Sequence, residues 1–246
     1  MALREELSRS GSFLFRWRSY LPLCMFFLIL LVLPHSDSSS DFDKVDDLWS
    51  VICLHVSLSG LAIRIATIGR TPKGTSGTNT KRQIADSLNT SGMYSICRNP
   101  LYLGNFFIGF GIFMLPRLWW FSLLFVLMFW IYYERIIFAE EEFLRKKFGR
   151  FYLDWSAKTP AFIPNIKAWK RPVLSFSCRK ALKNEYKTYY TLITAYCVFD
   201  LLDELYLEHR FEMETFWQVV FAVSTVFFLT VRMLKKKTRL LDVDRR

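Results

Sequence analysis

The chain has 246 residues, of which 52% are hydrophobic and 17% aromatic, and its formal net charge is +11. The apolar residues form long runs without the amphipathic spacing of a soluble domain, which indicates an integral membrane protein. The five cysteines contain no CxxC pair and the three histidines are scattered, so the pattern predicts neither a disulfide framework nor a metal site.

Six apolar runs predict an all-α, polytopic membrane bundle of about six spans, against the roughly 20 residues that one crossing needs. The runs are Tyr20 to Leu33, Leu48 to Gly69, Leu101 to Leu115, Leu118 to Phe138, Thr188 to Leu207 and Thr215 to Leu234. The first run follows Arg16 and Arg18 as a signal peptide would. Because no Ala-x-Ala cleavage site follows it, we expect an uncleaved anchor.

The basic residues are distributed unevenly between the loops. Thirty of the 33 Lys and Arg residues fall on one side of a six-span arrangement, whereas the opposite loops, residues 41–47 and 208–214, are acidic. The positive-inside rule therefore places both termini in the cytoplasm. Since membrane topology accounts for the charge, nucleic acid is not expected as a partner.

The third and fourth runs predict a tight hairpin that turns at residues 116–117. Its first arm spans only about 22 Å at 1.5 Å per residue, so it either does not cross fully or starts below the membrane surface. Arg98 precedes the hairpin and Glu140 and Glu141 follow it, so closing the hairpin brings them to one membrane face. The basic, amphipathic helix that comes next is interrupted near Gly149 and can lie on anionic headgroups. By spacing alone, Arg98 could equally snorkel and the glutamates form a solvated face.

A longer pattern carries a resemblance to a known family. It runs Gly92-x-Tyr94-x-x-x-Arg98-Asn99-Pro100-x-Tyr102-x-Gly104 and, across the hairpin, Arg135, Glu140-Glu141-x-x-Leu144-x-x-x-Phe148-Gly149-x-x-Tyr152, Pro160 and Pro164. From about Asn89 to Pro164 the chain resembles the isoprenylcysteine carboxyl methyltransferase and phospholipid methyltransferase superfamily. The resemblance implies a membrane enzyme that uses S-adenosylmethionine, held between the hairpin and the cytoplasmic helix after it.

The stretch Lys81-Arg-Gln-x-x-Asp86-x-Leu-Asn89 also resembles bacterial members, some of which methylate a lipid A phosphate. We therefore expect a bacterial inner membrane rather than the endoplasmic reticulum, with the active site on the cytoplasmic side.

The same resemblance implies the site residues. The expected cofactor-binding residues are Arg98, Pro100, Tyr102, Gly104, Glu140, Glu141 and Tyr152, and those near the reacting centre are Arg98, Asn99, Tyr94 and Arg135, with Asn89 close by. S-adenosylmethionine carries a carboxylate, an ammonium and a ribose diol. Arg98 suits the carboxylate, and Glu141 suits the diol or the ammonium.

The family pattern has histidine where this chain has Asn99, and asparagine cannot take a proton. We therefore expect O-methylation of an acidic group, a carboxylate or phosphate, on a membrane-embedded lipid or lipidated substrate, because an ionised acceptor needs no base. Phospholipid N-methylation and a non-catalytic scaffold derived from the family remain as alternatives. Neither the acceptor nor the oligomeric state follows from the sequence.

The remaining interpretations concern organisation. We divide the chain into N-terminal helices and loop (1–88), a methyltransferase core (89–164) and a basic linker with a helix pair (165–246). A short helix is expected near residues 81–87, Arg64 is expected to snorkel, and small residues Gly109 and Gly111 are expected to permit close helix packing. Three acids on one face of the fifth span are expected to pair structurally or face solvent: Asp200, Asp203 and Glu204.

Overall fold

The structure is a computed structural model that describes residues 3–18, 28–32, 43–72, 75, 85–207, 209 and 211–242. Helices form the regular structure of these residues, and no strand occurs among them. The helices are α1 Leu3–Trp17, α2 Asp43–Ile68, α3 Met93–Ile96, α4 Pro100–Met114, α5 Trp119–Phe148, α6 Arg150–Ser156, α7 Cys178–Leu207 and α8 Thr215–Lys237. Residues 28–32 are also helical, and Ile166–Ala168 forms a 3₁₀ turn. The predicted all-α fold is confirmed.

Three helices in the described part of the chain are long and apolar enough to cross a bilayer. They are Leu48–Ile68 within α2, α5 and α8, and α4 is a shorter apolar helix, as its 15 residues predict. Large apolar side chains such as Trp119, Trp130 and Val226 are exposed on α5 and α8. An outward face of this kind is suited to contact with lipid.

Two predicted boundaries differ from the structure. The fifth predicted span is part of the longer, 30-residue helix α7, which is not among the three helices that length and composition mark as spanning and which pairs with α8 through hydroxyl groups. Tyr189 and Ser224 share a hydrogen bond of 3.0 Å between their side-chain oxygens. Residues 43–47, predicted as an acidic loop, instead form the first turns of α2.

Two further predictions fall largely on residues outside the described part of the chain. The first predicted span has only residues 28–32 described, and those are helical. Of the predicted helix at 81–87, only residues 85–87 are described, and they are not helical.

The hairpin is closed by aromatic side chains. Phe121, Phe125, Phe129 and Tyr133 recur every four residues on α5 and so form one ridge along that helix. Phe113 of α4 packs on this ridge, with its ring centroid 4.9 Å from that of Phe121 and 4.7 Å from that of Phe125. The turn between the arms lies at residues 115–118, as predicted.

Glycines bring α2 and α4 into close contact. A Cβ atom on Gly104 would lie 2.7 Å from the Gly60 carbonyl oxygen, and one on Gly111 would lie 2.2 Å from Ser57 Oγ. A Cβ atom on Gly109 would lie 2.6 Å from the ring of Phe125 on α5. The packing interpretation of Gly109 and Gly111 is thus confirmed, and the seam places the start of α4 against α2.

The other helices complete the bundle around the hairpin. Helix α1 packs along α5, where a Cβ atom on Gly11 would lie 2.0 Å from the Arg135 carbonyl oxygen, and Arg4 pairs with Glu142 at 2.7 Å. Helix α7 packs against both α2 and α8. Helices from the N-terminal, central and C-terminal parts of the chain therefore surround the site described below.

Candidate functional site

The segment before α4 is held in place by the segment that follows α6. Arg98 N–H donates to the Pro160 carbonyl at 2.9 Å, and Asn165 N–H donates to the Ile96 carbonyl at 2.9 Å. Gly92, with φ +60, donates its N–H to the Lys170 carbonyl at 3.0 Å. Residues 157–172 thus form a strap across residues 92–99.

Proline starts α4 at the position that the sequence predicts. Pro100 is the first residue of α4, and Asn99 before it is non-helical, with φ −123 and ψ 57. The fixed φ of proline suits the first helical turn, and proline disfavours helix at the residue that precedes it. Arg98 therefore lies outside the helix, two residues before the first residue of α4.

The closed hairpin brings Arg98 and Glu141 together. Arg98 Nε lies 3.2 Å from Glu141 Oε1, and the two side chains are 19% and 24% exposed. A terminal nitrogen of Arg98 also donates to the Ser156 carbonyl at 3.4 Å. Because α5 continues past the apolar hairpin as far as Phe148, it carries Glu141 to the level of the strap.

Two buried polar atoms near this pair, Tyr152 Oη and Trp155 Nε1, have no hydrogen-bond partner among the described residues. Arg98 Nε and Glu141 Oε1 meet each other in the 3.2 Å ion pair, but they are not aligned as a hydrogen bond. Burial raises the pKa of the Tyr152 hydroxyl, and the Glu141 carboxylate raises it further, so this hydroxyl stays a neutral donor. Buried polar groups are normally satisfied, so these two donors beside a poorly aligned ion pair indicate space for a polar ligand.

The chemistry of this set fits S-adenosylmethionine. A guanidinium can bind the carboxylate of the cofactor, a carboxylate can accept from its ammonium or ribose hydroxyls, and the phenol and indole can donate to its remaining oxygens. A groove of about 630 Å³ opens beside Arg98 along the strap, where Ser156, Thr159 and Asn165 line it.

Glu140 belongs to a second cluster beside the first. Arg18, the residue after α1, places a terminal nitrogen 3.6 Å from Glu140 Oε1 and 3.5 Å from Tyr102 Oη. The Tyr102 ring lies 4.8 Å from the Tyr133 ring between centroids. From the sequence, Arg18 was interpreted only as a residue that flanks the first apolar run. No local sequence pattern indicates that α1 packs against α5, so the contact with Glu140 was not predicted.

Two predicted residues near the reacting centre lie close to these clusters. The pKa of Tyr94 is raised by burial and by the nearby Glu140 carboxylate. Tyr94 and Asn89 line a cavity of about 450 Å³ beside the end of α2. Asn99 donates its side-chain amide to the Ala161 carbonyl at 3.0 Å, so it fastens the strap.

Two other predicted residues take packing positions. Gly104 lies in the seam between α4 and α2, where an added Cβ atom would meet the Arg64 side chain at 2.5 Å. Arg135 lies on the face of α5 against α1, since its carbonyl oxygen approaches Gly11. The structure therefore brings Arg98, Glu141 and Tyr152 together but does not add Gly104 or Arg135 to them.

Sequence reasoning missed a polar chain beside the site. Arg64 donates to both carboxylate oxygens of Glu185 at 2.8 and 2.7 Å, and to Asn105 Oδ1 at 2.6 Å. Asn105 in turn donates to Tyr133 Oη at 3.2 Å. The expectation that Arg64 snorkels is wrong, because its partner on α7 satisfies it inside the protein. A charged residue in the middle of an apolar run was the available signal.

Known proteins match part of this chain. The family model described as phospholipid methyltransferase matches residues 51–150, which include Arg98, Glu140 and Glu141. A protein-S-isoprenylcysteine O-methyltransferase of Schizosaccharomyces pombe is 36% identical over 86 residues, covering 35% of this chain and 36% of its own length. Over these residues the chain is related to the phospholipid methyltransferase and isoprenylcysteine carboxyl methyltransferase superfamily.

Two bacterial relatives of the chain have names of another kind. A nickel-cobalt-cadmium resistance protein of Alcaligenes xylosoxydans xylosoxydans is 29% identical over 143 residues, which cover 58% of this chain. A cobalt-zinc-cadmium resistance protein of Cupriavidus metallidurans is 30% identical over 145 residues, which cover 59% of this chain. The match spans 62% of the length of each of these two relatives. No solved structure matches the chain significantly.

Proposed function

We propose that this protein is an S-adenosylmethionine-dependent membrane methyltransferase that O-methylates a carboxylate or phosphate on a membrane-embedded lipid or lipidated substrate. The observation that carries the proposal is the Arg98–Glu141 pair, which is not aligned as a hydrogen bond and lies beside two unsatisfied donors, Tyr152 Oη and Trp155 Nε1, inside and next to the family-matched segment. A purely structural ion pair normally forms aligned hydrogen bonds, and its buried neighbours are satisfied.

In this proposal Arg98 holds the cofactor carboxylate, while Glu141 accepts from its ammonium or ribose diol. Tyr152 and Trp155 donate to it, and Glu140 and Tyr102 line the side that faces the hairpin. When bound, S-adenosylmethionine supplies an electrophilic methyl group. The protein contributes alignment and exclusion of water, which are the main requirements for a methyl transfer to an anion.

Several observations favour an acidic oxygen as the acceptor. Asn99 uses its amide on the strap and cannot accept a proton, so it supplies no base for an ammonium acceptor. Arg18 lies beside the cofactor cluster, where its guanidinium can donate to an anionic headgroup, whereas Glu185 balances the charge of Arg64. Phospholipid N-methylation is the second candidate, which the description of the matching family model favours.

The names of the two bacterial relatives are compatible with this chemistry. Methylation of a phosphate or carboxylate removes one negative charge from a lipid. A membrane with fewer such charges attracts divalent cations less strongly. We therefore propose that the lipid product lowers metal binding at the membrane surface, as a consequence of the methyl transfer.

Calorimetric titration of the purified protein with S-adenosylmethionine tests the cofactor site. Arg98→Ala and Glu141→Gln should each lower the affinity by at least about tenfold, equivalent to about 1.4 kcal/mol. The matched controls are Arg150→Ala and Glu134→Gln, which remove exposed charges from neighbouring positions. Wild-type affinity in both site variants would exclude the proposed pocket.

Transfer is tested with membranes and a radiolabelled methyl donor. The labelled lipid should lose its methyl group in base if it is a carboxylate ester, whereas an N-methyl group should survive the same treatment. A phosphate ester is then distinguished by mass spectrometry of the intact product. Saturable cofactor binding without any labelled product would leave the scaffold alternative as the function.

A further inference from the structure

An apolar groove runs from the cofactor cluster into the interior of the bundle. It has a volume of about 770 Å³ and lies between α4, α5 and α7. Its walls are mainly apolar, with Ile108, Ile112, Phe113, Phe125, Phe129, Leu192, Ala195 and Val198. Along α7 it extends from Lys187 to Val198, about 16 Å at 1.5 Å per residue, or about half of a hydrocarbon core of roughly 30 Å.

The charged residues of the groove all lie at one end. Arg18, Arg64 and Lys187 are cationic, and no Asp or Glu occurs among the described residues that line it. Glu185 binds Arg64 in a bidentate pair, whereas Arg18 lies 3.6 Å from its partner Glu140. A guanidinium has five donors, so Arg18 can bind an anionic headgroup and keep its contact with Glu140.

The same end of the groove meets the candidate cofactor site. Arg18 lines the groove and contacts Glu140, and Tyr133 lines the groove while its ring packs at a tilt against Tyr102. A headgroup at Arg18 therefore lies next to the residues that would hold the methyl donor. The apolar remainder of the groove is suited to a hydrocarbon chain.

Parts of this groove lie outside the family-matched segment. Arg18 comes from the end of α1 and Lys187 and Ala195 come from α7, whereas the family match ends at residue 150. We infer that the end of α1 and helix α7 complete the acceptor site, which takes an anionic membrane lipid. Its headgroup lies at Arg18 and Lys187, and a hydrocarbon chain lies between α4, α5 and α7. The inference rests on the proposed function.

Photo-crosslinking of the full chain in detergent tests the occupant. The probe is phosphatidic acid with a photoactivatable diazirine in one acyl chain, and the comparison probe is phosphatidylcholine with the same chains. We expect labels from the anionic probe on residues of α4, α5 and α7 that line the groove. Equal labelling there by both probes would overturn the inference that the site selects an anionic headgroup.

Two sets of variants separate the chain site from the headgroup site. Ala195→Trp fills the groove and should lower groove labelling by at least about tenfold, whereas Leu205→Trp, at an exposed position of the same helix outside the groove, should not. The double variant Arg18→Gln, Lys187→Gln should lose the preference for phosphatidic acid, and Arg18→Lys should retain it. Arg16→Gln, an exposed position on α1, is the control. Undiminished groove labelling in Ala195→Trp contradicts the inference.

Titration of the same preparations with S-adenosylmethionine distinguishes the two proposals. Ala195→Trp should bind the cofactor like the wild type, because Ala195 does not line the groove beside Arg98. Cofactor binding with no groove labelling in the wild type would overturn the acceptor site and leave the proposed function intact. Groove labelling without cofactor binding would overturn the proposed function and leave the groove as a lipid site.

Discussion

Asn99 illustrates how one residue can hold a site together without entering the chemistry. Its amide donates to the Ala161 carbonyl, while the neighbouring Arg98 N–H donates to the Pro160 carbonyl. These two bonds fix the strap beside the Arg98 guanidinium. An asparagine at this position therefore positions Arg98, and it brings no titrating group to the reaction.

Replacing Asn99 with alanine should loosen this attachment. Loss of one hydrogen bond lowers the free energy of unfolding by about 1 kcal/mol, and the Ala161 carbonyl is left to water. We expect a lower midpoint of thermal unfolding and weaker cofactor affinity, with an unchanged pH profile of methyl transfer. Lys167→Ala is the control, since Lys167 is an exposed residue of the strap that does not line the groove beside Arg98. A shifted pH profile in Asn99→Ala would mean that Asn99 acts on a titrating step.

The residue scale also shows what spacing could predict. Arg98 and Glu141 are brought together by a single hairpin, so their positions in the chain were enough to predict that they meet. Arg18 and Glu185 reach the site from α1 and α7, which are separated from the hairpin by long stretches of chain. No local pattern specifies such partners, because they depend on how whole helices pack.

At the scale of elements, the Arg64–Glu185 pair joins α2 to α7. Glu185 is 3% exposed and Arg64 17% exposed, so the pair is held away from water. The seam of glycines already brings α4 against α2. The pair therefore holds α7, the third wall of the groove, in place relative to the other two walls, α4 and α5.

Removing one member of this pair should be costly. Glu185→Ala leaves a guanidinium buried without its carboxylate, which destabilises a protein by about 3–5 kcal/mol for a fully buried pair. We expect a large drop in the thermal unfolding midpoint in detergent. The double variant Arg64→Met, Glu185→Leu should regain most of that loss, because neither charge then remains. Equal unfolding midpoints for Glu185→Ala and the wild type would show that the pair does not hold α7 in place.

The predicted span in α7 stays a prediction. An apolar run near the end of the helix predicts a membrane crossing, and hydroxyl groups of Tyr189 and Tyr190 in it pair with Ser224 and Thr225 of α8. Composition records the polar groups and does not show that another helix satisfies them. The hairpin arms were predicted well because their signals are local: a proline start, a turn and a ridge of aromatic residues.

At the scale of the whole molecule, the sequence predicted an all-helical membrane protein with its site at one end of a hairpin. The structure confirms the fold and the meeting of Arg98 with Glu141. The groove was out of reach, since it exists only where three helices from distant parts of the chain enclose a space. The orientation in the membrane stays a prediction from the positive-inside rule.

Cysteine chemistry offers a direct test of that orientation. Cys178 is exposed at the start of α7, and Phe211 is 74% exposed beyond the opposite end of the same helix. Burial raises the pKa of the Cys97 thiol to about 11, so almost none of it is thiolate at neutral pH. Cys53 and Cys197 are buried as well, so Cys178 should be the reactive thiol among the described cysteines.

We expect a membrane-impermeant maleimide to label Cys178 in inverted vesicles and not in right-side-out vesicles. In a Cys178→Ser background, Phe211→Cys should show the opposite pattern, because the predicted six-span arrangement puts the two ends of α7 on different sides of the membrane. Mass mapping of the labelled peptides gives the readout, and Cys178→Ser alone measures the background. Labelling of Cys178 from the outer face would invert the topology and place Arg98 and Glu141 away from cytoplasmic S-adenosylmethionine.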